Sequence, residues 1–394
     1  MKQNLLDLIV CPRCHEALSL EPFAASRAGC DADPSGERDA DVHEGALRCE
    51  SCGAAFPVIA GVPRLLGPKL LARMARHYPD FFARHPEFAA EAPAGSAEDK
   101  LAETLESFTR QRLELRPPGP EFVEQWRSHL RRNLGRMTDV SDLRDQLILD
   151  VGCGFGRHMH VAAEAGAEIV GVDLSGGVDV AWRNNRIHPR CHVVQADILD
   201  QPFRQSAFDI VWSFGVLHHM PNPRAGFEAI VPFARQDGGR VVIWVYGYRG
   251  MAFTYRLSHM RTLHRLTRRM SGRGRVRMSK AIAALLSAGY WEPLRVASWL
   301  GLRRLVKRLP LTDHIEQGWL SRVSAVHDRL STPITHFHDR DELTEWFEQC
   351  GLAGVVVEDT DRRGWRAYGT RRGERAEELQ LEHAVAGSIS EVGQ

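Results

Sequence analysis

The stretch that decides the fold is "LILDVGCGFGRHMHVAAEAGAEIVGVDLS", residues 147–175. Its first five residues, Leu147-Ile148-Leu149-Asp150-Val151, form a nearly continuous apolar run, the mark of a parallel strand buried on both faces. Gly152, Gly154 and Gly156 then let the backbone turn sharply and approach a ligand without Cβ atoms in the way. The pattern predicts a helix from about Arg157 to Ala165. Its N-terminal N–H groups would face whatever sits in the turn and favour a carboxylate or phosphate. "AEIVGVD" (167–173) reads as a second buried strand, and Asp173 at its end can accept both hydroxyls of a ribose.

The loop is GxGxG, one residue tighter than the GxGxxG of dinucleotide sites. A glycine loop alone is a weak signal; Asp150, the tight loop and an acid 17 residues after Gly156 together are stronger. This combination resembles the S-adenosylmethionine site of class I methyltransferases, and the downstream chain extends the likeness. "CHVVQADILDQPF" (191–203) reads as a third strand. The resemblance implies that Asp197 bonds the adenine amino group and that Ile198 packs on the ring. "AFDIVWSFGVLHHMPNP" (207–223) supplies a fourth strand, with Ser213 near its end, and the "LHH" turn of many small-molecule methyltransferases. "PRAGFEAIVPFARQDGGRVVIWVYG" (223–247) gives a helix, a Gly-Gly turn and a fifth strand. Strand–helix units in this order make an open, mostly parallel sheet, whose ligands bind at the carboxyl ends of the strands. The cofactor-binding set so implied is Asp150, Gly152, Cys153, Gly154, Gly156, Asp173, Leu174, Asp197, Ile198 and Ser213. Taken singly, each acid could be a turn or cap residue, and Asp197 sits where a helix cap would.

The cofactor implied by the resemblance, S-adenosyl-L-methionine, carries an activated methyl, so transfer is an in-line displacement that needs alignment. Near-attack positioning can supply about 7–11 kcal/mol of such a barrier. A base is needed only for an acceptor protonated at neutral pH; His218 is the candidate, and His219 reads as a polar turn lining the pocket. For His218 a lining role is equally open. No Asn-Pro-Pro-aromatic and no Pro-Cys follows the fourth strand, which removes support for exocyclic amine methylation of bases and for carbon-5 methylation of pyrimidines. The thiols of Cys153 and Cys191 read as packing.

Upstream, Cys11-Pro-Arg-Cys14 and Cys49-Glu-Ser-Cys52 are two CxxC pairs 34 residues apart. Four thiolates on two short turns suit one tetrahedral zinc, and with every position filled by sulfur the metal would be structural. Cys30, in the acidic loop between them, reads as a bystander. "LLDLIVCPRC…LRCESCGAAFPVIAGVPRLL" resembles short zinc-ribbon proteins that occur alone, as stabilising partners of methyltransferases, or fused in front of one.

At 394 residues the chain suggests two or three domains, and its net charge of +1 gives no general reason for a polyanion partner. Residues 1–10 lack the form of a secretory signal and no stretch reaches the length of a membrane span, so a cytoplasmic, reducing location is expected. The average charge hides an asymmetry. Between Arg249 and Arg308 lie 13 Arg and 2 Lys against one acid, Glu292, a net +14. Trp299, Leu302, Leu305 and Leu309 are spaced as one face of a helix with arginines opposite. The insert reads as a helical lid with solvated or acid-paired arginines, as a cover for an anionic or lipid-like acceptor, or as an RNA or membrane-surface binder. After it, Asp339 or Asp341 starts a helix that Gly351 ends, His336 and His338 precede that helix, and "GVVVED" and "WRAYGT" form the final reversed strands.

The expected architecture is α/β: a Rossmann-like seven-stranded methyltransferase sheet with a helical insert, preceded by a small zinc ribbon. The expected boundaries are 1–66 for the ribbon, 67–139 for a linker and helical cofactor-covering segment, 140–370 for the methyltransferase domain with its insert at about 248–330, and 371–394 for a loose charged tail. The expected activity is methylation of a small metabolite or biosynthetic intermediate. The alternatives are an RNA methyltransferase that grips nucleic acid with the ribbon and insert, and a non-catalytic cofactor-binding scaffold.

Overall fold

A computed structural model describes residues 1–23, 41–89, 105–106, 108–109, 122–248, 267, 270, 272–306, 309, 311–331, 334–360 and 364–373. Cys30, the linker at 90–100, the Arg110–Leu113 stretch, the first part of the basic insert and the tail from 374 lie outside the described residues.

Apolar runs produce the expected parallel strands: β5 (Leu147–Val151), β6 (Glu168–Asp173), β7 (Cys191–Ala196), β8 (Ile210–Phe214) and β9 (Arg240–Tyr246). The chain then reverses through β10 (Leu352–Asp359) and β11 (Gly364–Arg371), and β11 lies antiparallel between β9 and β10. These seven strands run β7-β6-β5-β8-β9-β11-β10.

The N-terminal region does not sit beside this sheet but lengthens it. Strands β1 (Ser19–Pro22), β2 (Gly45–Arg48), β3 (Ala55–Ile59) and β4 (Val62–Leu65) continue in order, and β4 pairs in parallel with β7, Arg64 opposite Gln195 and Leu65 opposite Ala196. Left alone, β7 would present a row of unpaired backbone groups, and β4 satisfies them. The join is closed from the front as well. Val10 donates to the Pro202 carbonyl (3.0 Å) and Arg204 to that of Leu8 (2.9 Å). Leu5, Ile9, Leu47, Phe56 and Leu65 therefore share one buried core with Val172, Val194 and Phe203.

Helices α1 (Pro68–Met74) and α2 (Pro79–Arg84) fold Leu71, Met74, Phe81 and Phe82 against Ile59 and Leu66 of the N-terminal region. α3 (Val123–Leu134) buries Trp126, Leu130 and Leu134. α4 (Arg157–Glu164), α5 (Val178–Asn185) and α6 (Pro223–Ile230) are the crossovers that parallel strands require.

In the insert, α7 (Gly272–Leu286) continues as helical turns to Val306 and packs on α8 (Trp319–Ser331) around its own core of Val276, Ala283, Trp291, Val306, Ile315 and Val323. The Trp299–Leu309 face does not join that core. Gly301, at φ +93°, interrupts the helix, and Trp299, Leu302, Leu305 and Leu309 point outward. α9 (Arg340–Gln349) is capped by Asp339, whose carboxylate accepts from the Glu342 amide at 2.9 Å. Among the described residues no helix is long and apolar enough to cross a membrane.

Candidate functional site

The site is built at the carboxyl ends of β5, β6 and β8. The chain leaves β5 through Gly152, Gly154 and Gly156 at φ of +77°, +59° and +79°. The amides of Gly152 and Cys153 both donate to the Val172 carbonyl, at 2.7 and 3.1 Å, which folds the corner back over β6. A Cβ on Gly152 would stand 2.2 Å from Val216 Cγ2, so only glycine fits there. Asp173 holds the corner from the other side. Its Oδ2 accepts from the Gly154 amide (2.9 Å) and its Oδ1 from the Ser175 amide (2.7 Å). Each oxygen keeps a further lone-pair direction. Cys153 is buried within the loop; Cys191, also buried, has its thiol pushed up to about 12 by that burial, which suits packing and not reactivity.

Several buried polar atoms here have no protein partner among the described residues. Asp150 is buried on β5 and its Oδ2 is unpaired; burial pushes its carboxyl up to about 7. Ser213 Oγ on β8 is likewise unpaired, as are both ring nitrogens of His218, while the Trp212 indole on the same strand interacts with the Asp150 carboxyl. Buried polar groups in folded proteins are almost always satisfied, so a cluster of orphans points to a polar ligand. His218 stacks on Tyr246 with centroids 3.8 Å apart, and burial holds its pKa well below the ordinary histidine value. His219 instead donates from Nδ1 to the Ile334 carbonyl (2.9 Å). His336 donates its amide to the His218 carbonyl (2.8 Å), and His338 bonds Glu342 through Nδ1 (3.0 Å) while its buried Nε2 is unpaired.

Asp197 does what a cap does: its Oδ1 accepts from the Leu199 amide (3.0 Å), with Ile198 buried next to it. Leu174 is half-buried, directly after Asp173. Tertiary folding adds residues that the sequence reading passed over. Thr109 Oγ1 accepts from the Gly176 amide (2.8 Å), and the Phe108 ring lies 5.6 Å from His219. Trp244 and Tyr246 wall the space around His218. Thr109 and Phe108 lie within the segment expected to cover the cofactor.

At the far end of the sheet, Cys11, Cys14, Cys49 and Cys52 bring their four sulfurs within 4.8 Å of one another. Cys11 and Cys52 are 3.6 Å apart, Cys14 and Cys49 3.4 Å. Zn–S bonds of about 2.3 Å in a tetrahedron place sulfurs roughly 3.8 Å apart, so the four thiols fit zinc after small shifts. Each knuckle is closed by the backbone: His15 donates to Cys11 (2.8 Å) and Gly53, at φ +69°, to Cys49 (2.9 Å).

Residues 149–243 match the family described as "Methyltransferase domain", and residues 2–61 match the one described as "Trm112p-like protein". The chain carries a class I S-adenosylmethionine-dependent methyltransferase domain behind a Trm112-like domain. S-adenosylmethionine is the methyl donor of such a domain, and the glycine corner with its orphaned polar atoms fits it; the four-cysteine cluster of the Trm112-like domain fits structural zinc.

Among curated relatives, tocopherol O-methyltransferase of Arabidopsis thaliana is 35% identical over 127 residues, 31% of this chain and 36% of that protein. "Probable tRNA methyltransferase 9B" of Mus musculus is 34% identical over 110 residues, 26% of this chain and 23% of that protein. A tRNA U34 carboxymethyltransferase of Cellvibrio japonicus is 29% identical over 181 residues, 42% of this chain and 55% of that protein. The chain thus spans from about a quarter to just over half the length of these relatives.

The strand that follows the Trm112-like match reaches the methyltransferase site through a buried side chain. Arg64 on β4 has no exposed surface, and its guanidinium donates to Gln195 Oε1 (2.8 Å), Asp179 Oδ1 (2.6 Å), the Ile59 carbonyl (3.1 Å) and the Tyr78 hydroxyl (3.1 Å). Gln195 in turn donates to the Leu174 carbonyl (2.9 Å), the residue after Asp173.

Proposed function

We propose that the protein transfers the methyl group of S-adenosylmethionine to a small metabolite or biosynthetic intermediate. The observation that carries this reading is the set of unpaired buried polar atoms of Asp150, Ser213 and His218, gathered beside the positive-φ corner. When bound, the cofactor supplies a methyl already activated by its sulfonium. The chain's own residues then bind and align. Asp173 would accept the ribose hydroxyls with its remaining lone pairs. Asp197 and Ile198 would meet the adenine, the first amides of α4 would meet the carboxylate, and Asp150 and Ser213 would complete the polar lining under the corner.

On the acceptor side, the rings of His218, His219, Trp244, Tyr246 and Phe337 stand in mutual contact as an aromatic cluster, which supports an acceptor of small-molecule size. Burial leaves His218 uncharged at neutral pH. It can accept a hydrogen bond from an acceptor O–H or N–H and hold it in line, but its depressed basicity makes it a weak proton sink. Its role in this reading is alignment.

The tRNA-named relatives and the +14 insert favour a second reading, an RNA methyltransferase. Methyl-labelled cofactor incubated with fractionated cell extract separates the two. Label in the small-molecule fraction is the expected result. Label confined to tRNA or rRNA, with binding that falls steeply with salt, would favour the second reading. Tight cofactor binding with no label in any fraction would leave a silent scaffold.

A further inference from the structure

We propose that the outer tip of the helical insert docks on an anionic lipid bilayer surface. The tip is the run Trp299-Leu300-Gly301-Leu302-Arg303-Arg304-Leu305, every residue of which is exposed. Trp299 is 88% exposed and Leu300 69%, values that a water-facing monomer seldom gives to its largest apolar side chains. Gly301 makes the tip. Its φ of +93° ends one helical segment and starts the next, so Trp299 and Leu300 lie on one side of a bend and Leu302 and Leu305 on the other. A Cβ there would meet nothing within 4 Å, so the glycine answers to the bend and not to a neighbour.

The tip is not a loosely packed element. In the same insert, Trp291 is buried and donates from its indole to the Leu311 carbonyl (3.0 Å). Arg322 lies over the Trp291 ring at 5.3 Å and donates to the His314 and Ile315 carbonyls (2.8 and 2.7 Å). A folded base thus presents an apolar apex to solvent.

Charge selects the occupant. The one acid of the Arg249–Arg308 stretch, Glu292, is already held by Arg322 and Arg295, each at 2.6 Å. Arg303 and Arg304 at the apex, and Arg277 and Lys280 on the exposed side of α7, have no ion pair among the described residues. Apolar side chains at an apex with arginines next to them are the pattern of an interfacial anchor, the tryptophan and leucines entering the acyl boundary and the cations meeting anionic headgroups. A second copy of the chain would bring two strongly positive inserts together, which opposes self-association through this face. Single-stranded nucleic acid needs aromatic platforms along a basic groove, and the apex offers one tryptophan among leucines.

The test uses the full-length, zinc-loaded protein and sedimentation with two sets of vesicles, phosphatidylcholine alone and equal parts of phosphatidylcholine and phosphatidylglycerol. Wild type should sediment with the anionic vesicles and much less with the neutral ones. Trp299→Ser combined with Leu300→Ser, and separately Arg303→Glu combined with Arg304→Glu, should each weaken that binding by about tenfold or more. Only the charge contribution should respond to salt, and both variants should keep wild-type affinity for S-adenosylmethionine, which reports an intact fold. Absence of anionic-vesicle binding at low salt, or equal binding by wild type and both variants, overturns the proposal. So does a concentration-dependent dimer abolished by the tip variants, or tip-dependent binding to tRNA without binding to vesicles.

Discussion

Replacing Arg64 by methionine tests how β4, at the join with the N-terminal region, supports the methyltransferase site. Methionine fills most of the volume of the arginine stem and removes only the guanidinium. Asp179 Oδ1, Gln195 Oε1, the Ile59 carbonyl and the Tyr78 hydroxyl each lose a donor at once. Removing one partner of a buried ion pair costs about 3–5 kcal/mol. The Asp179 side chain is 26% exposed, so water restores part of its solvation, and the low end, about 3 kcal/mol, is expected. A smaller loss follows at the cofactor. Gln195 freed from Arg64 no longer fixes the Leu174 carbonyl, so Asp173 is held less firmly and S-adenosylmethionine affinity should weaken by roughly fivefold, about 1 kcal/mol. Urea unfolding followed by tryptophan fluorescence reads the first effect and titration calorimetry the second. Because the sheet and core are continuous across the join, a single transition is expected, shifted to lower urea. Adding Asp179→Asn to the Arg64→Met background should recover part of the loss, since the carboxylate, left with the Tyr78 hydroxyl but without its cation, is then neutral. A destabilisation below about 1 kcal/mol, with unchanged cofactor affinity, would refute the reasoning.

Gly152→Ala should abolish cofactor binding, because the new methyl would meet Val216 Cγ2 at 2.2 Å on a backbone at φ +77°; adding Val216→Ala should restore only part of it by calorimetry, the backbone strain being left in place. Cys11→Ser should take bound zinc from one atom per chain to none by metal analysis and lower the thermal midpoint by about 5–10 °C, leaving turnover per folded molecule unchanged; a stable variant that loses only turnover would contradict a structural metal. Asp150→Asn should stabilise the ligand-free protein at pH 8. The carboxyl's pKa is raised from 3.8 to about 7 by burial, so the stability that its protonated form contributes is complete below pH 3.8 and lost as pH rises through about 7. The gain on substitution should reach the order of 4 kcal/mol above pH 8 and shrink toward pH 4; a gain independent of pH in parallel urea melts would count against it.

The strands of the methyltransferase sheet were legible because a strand buried on both faces must be apolar along its length, as in Leu147–Val151, and because a backbone that turns at Gly152 admits no side chain. The zinc cluster was legible for a similar reason, since four thiolates on two CxxC turns suit one tetrahedral metal and little else. The join between the two was not. Arg64 carries no local sign of its role, and its burial depends on partners such as Gln195, 131 residues away. No local pattern encodes that parallel pairing. Phe108, Thr109 and Tyr246 escaped notice because an isolated ring or hydroxyl acquires meaning only from what tertiary folding brings beside it. The Trp299–Leu309 spacing was read as a single helical face. Gly301 divides it, and periodicity by itself cannot say whether an apolar face meets protein or solvent. Asp197 carried two readings in the sequence, cap and adenine ligand. The cap is present in the structure, and the adenine contact is part of the proposal.

Titration of the zinc-loaded protein with S-adenosylmethionine, beside an Asp173→Ala variant of matched zinc content and thermal stability, tests the central claim most directly. The account predicts one cofactor per wild-type chain and no measurable binding to the variant. A wild-type chain that takes up none, or a variant that binds as tightly as wild type, would contradict it.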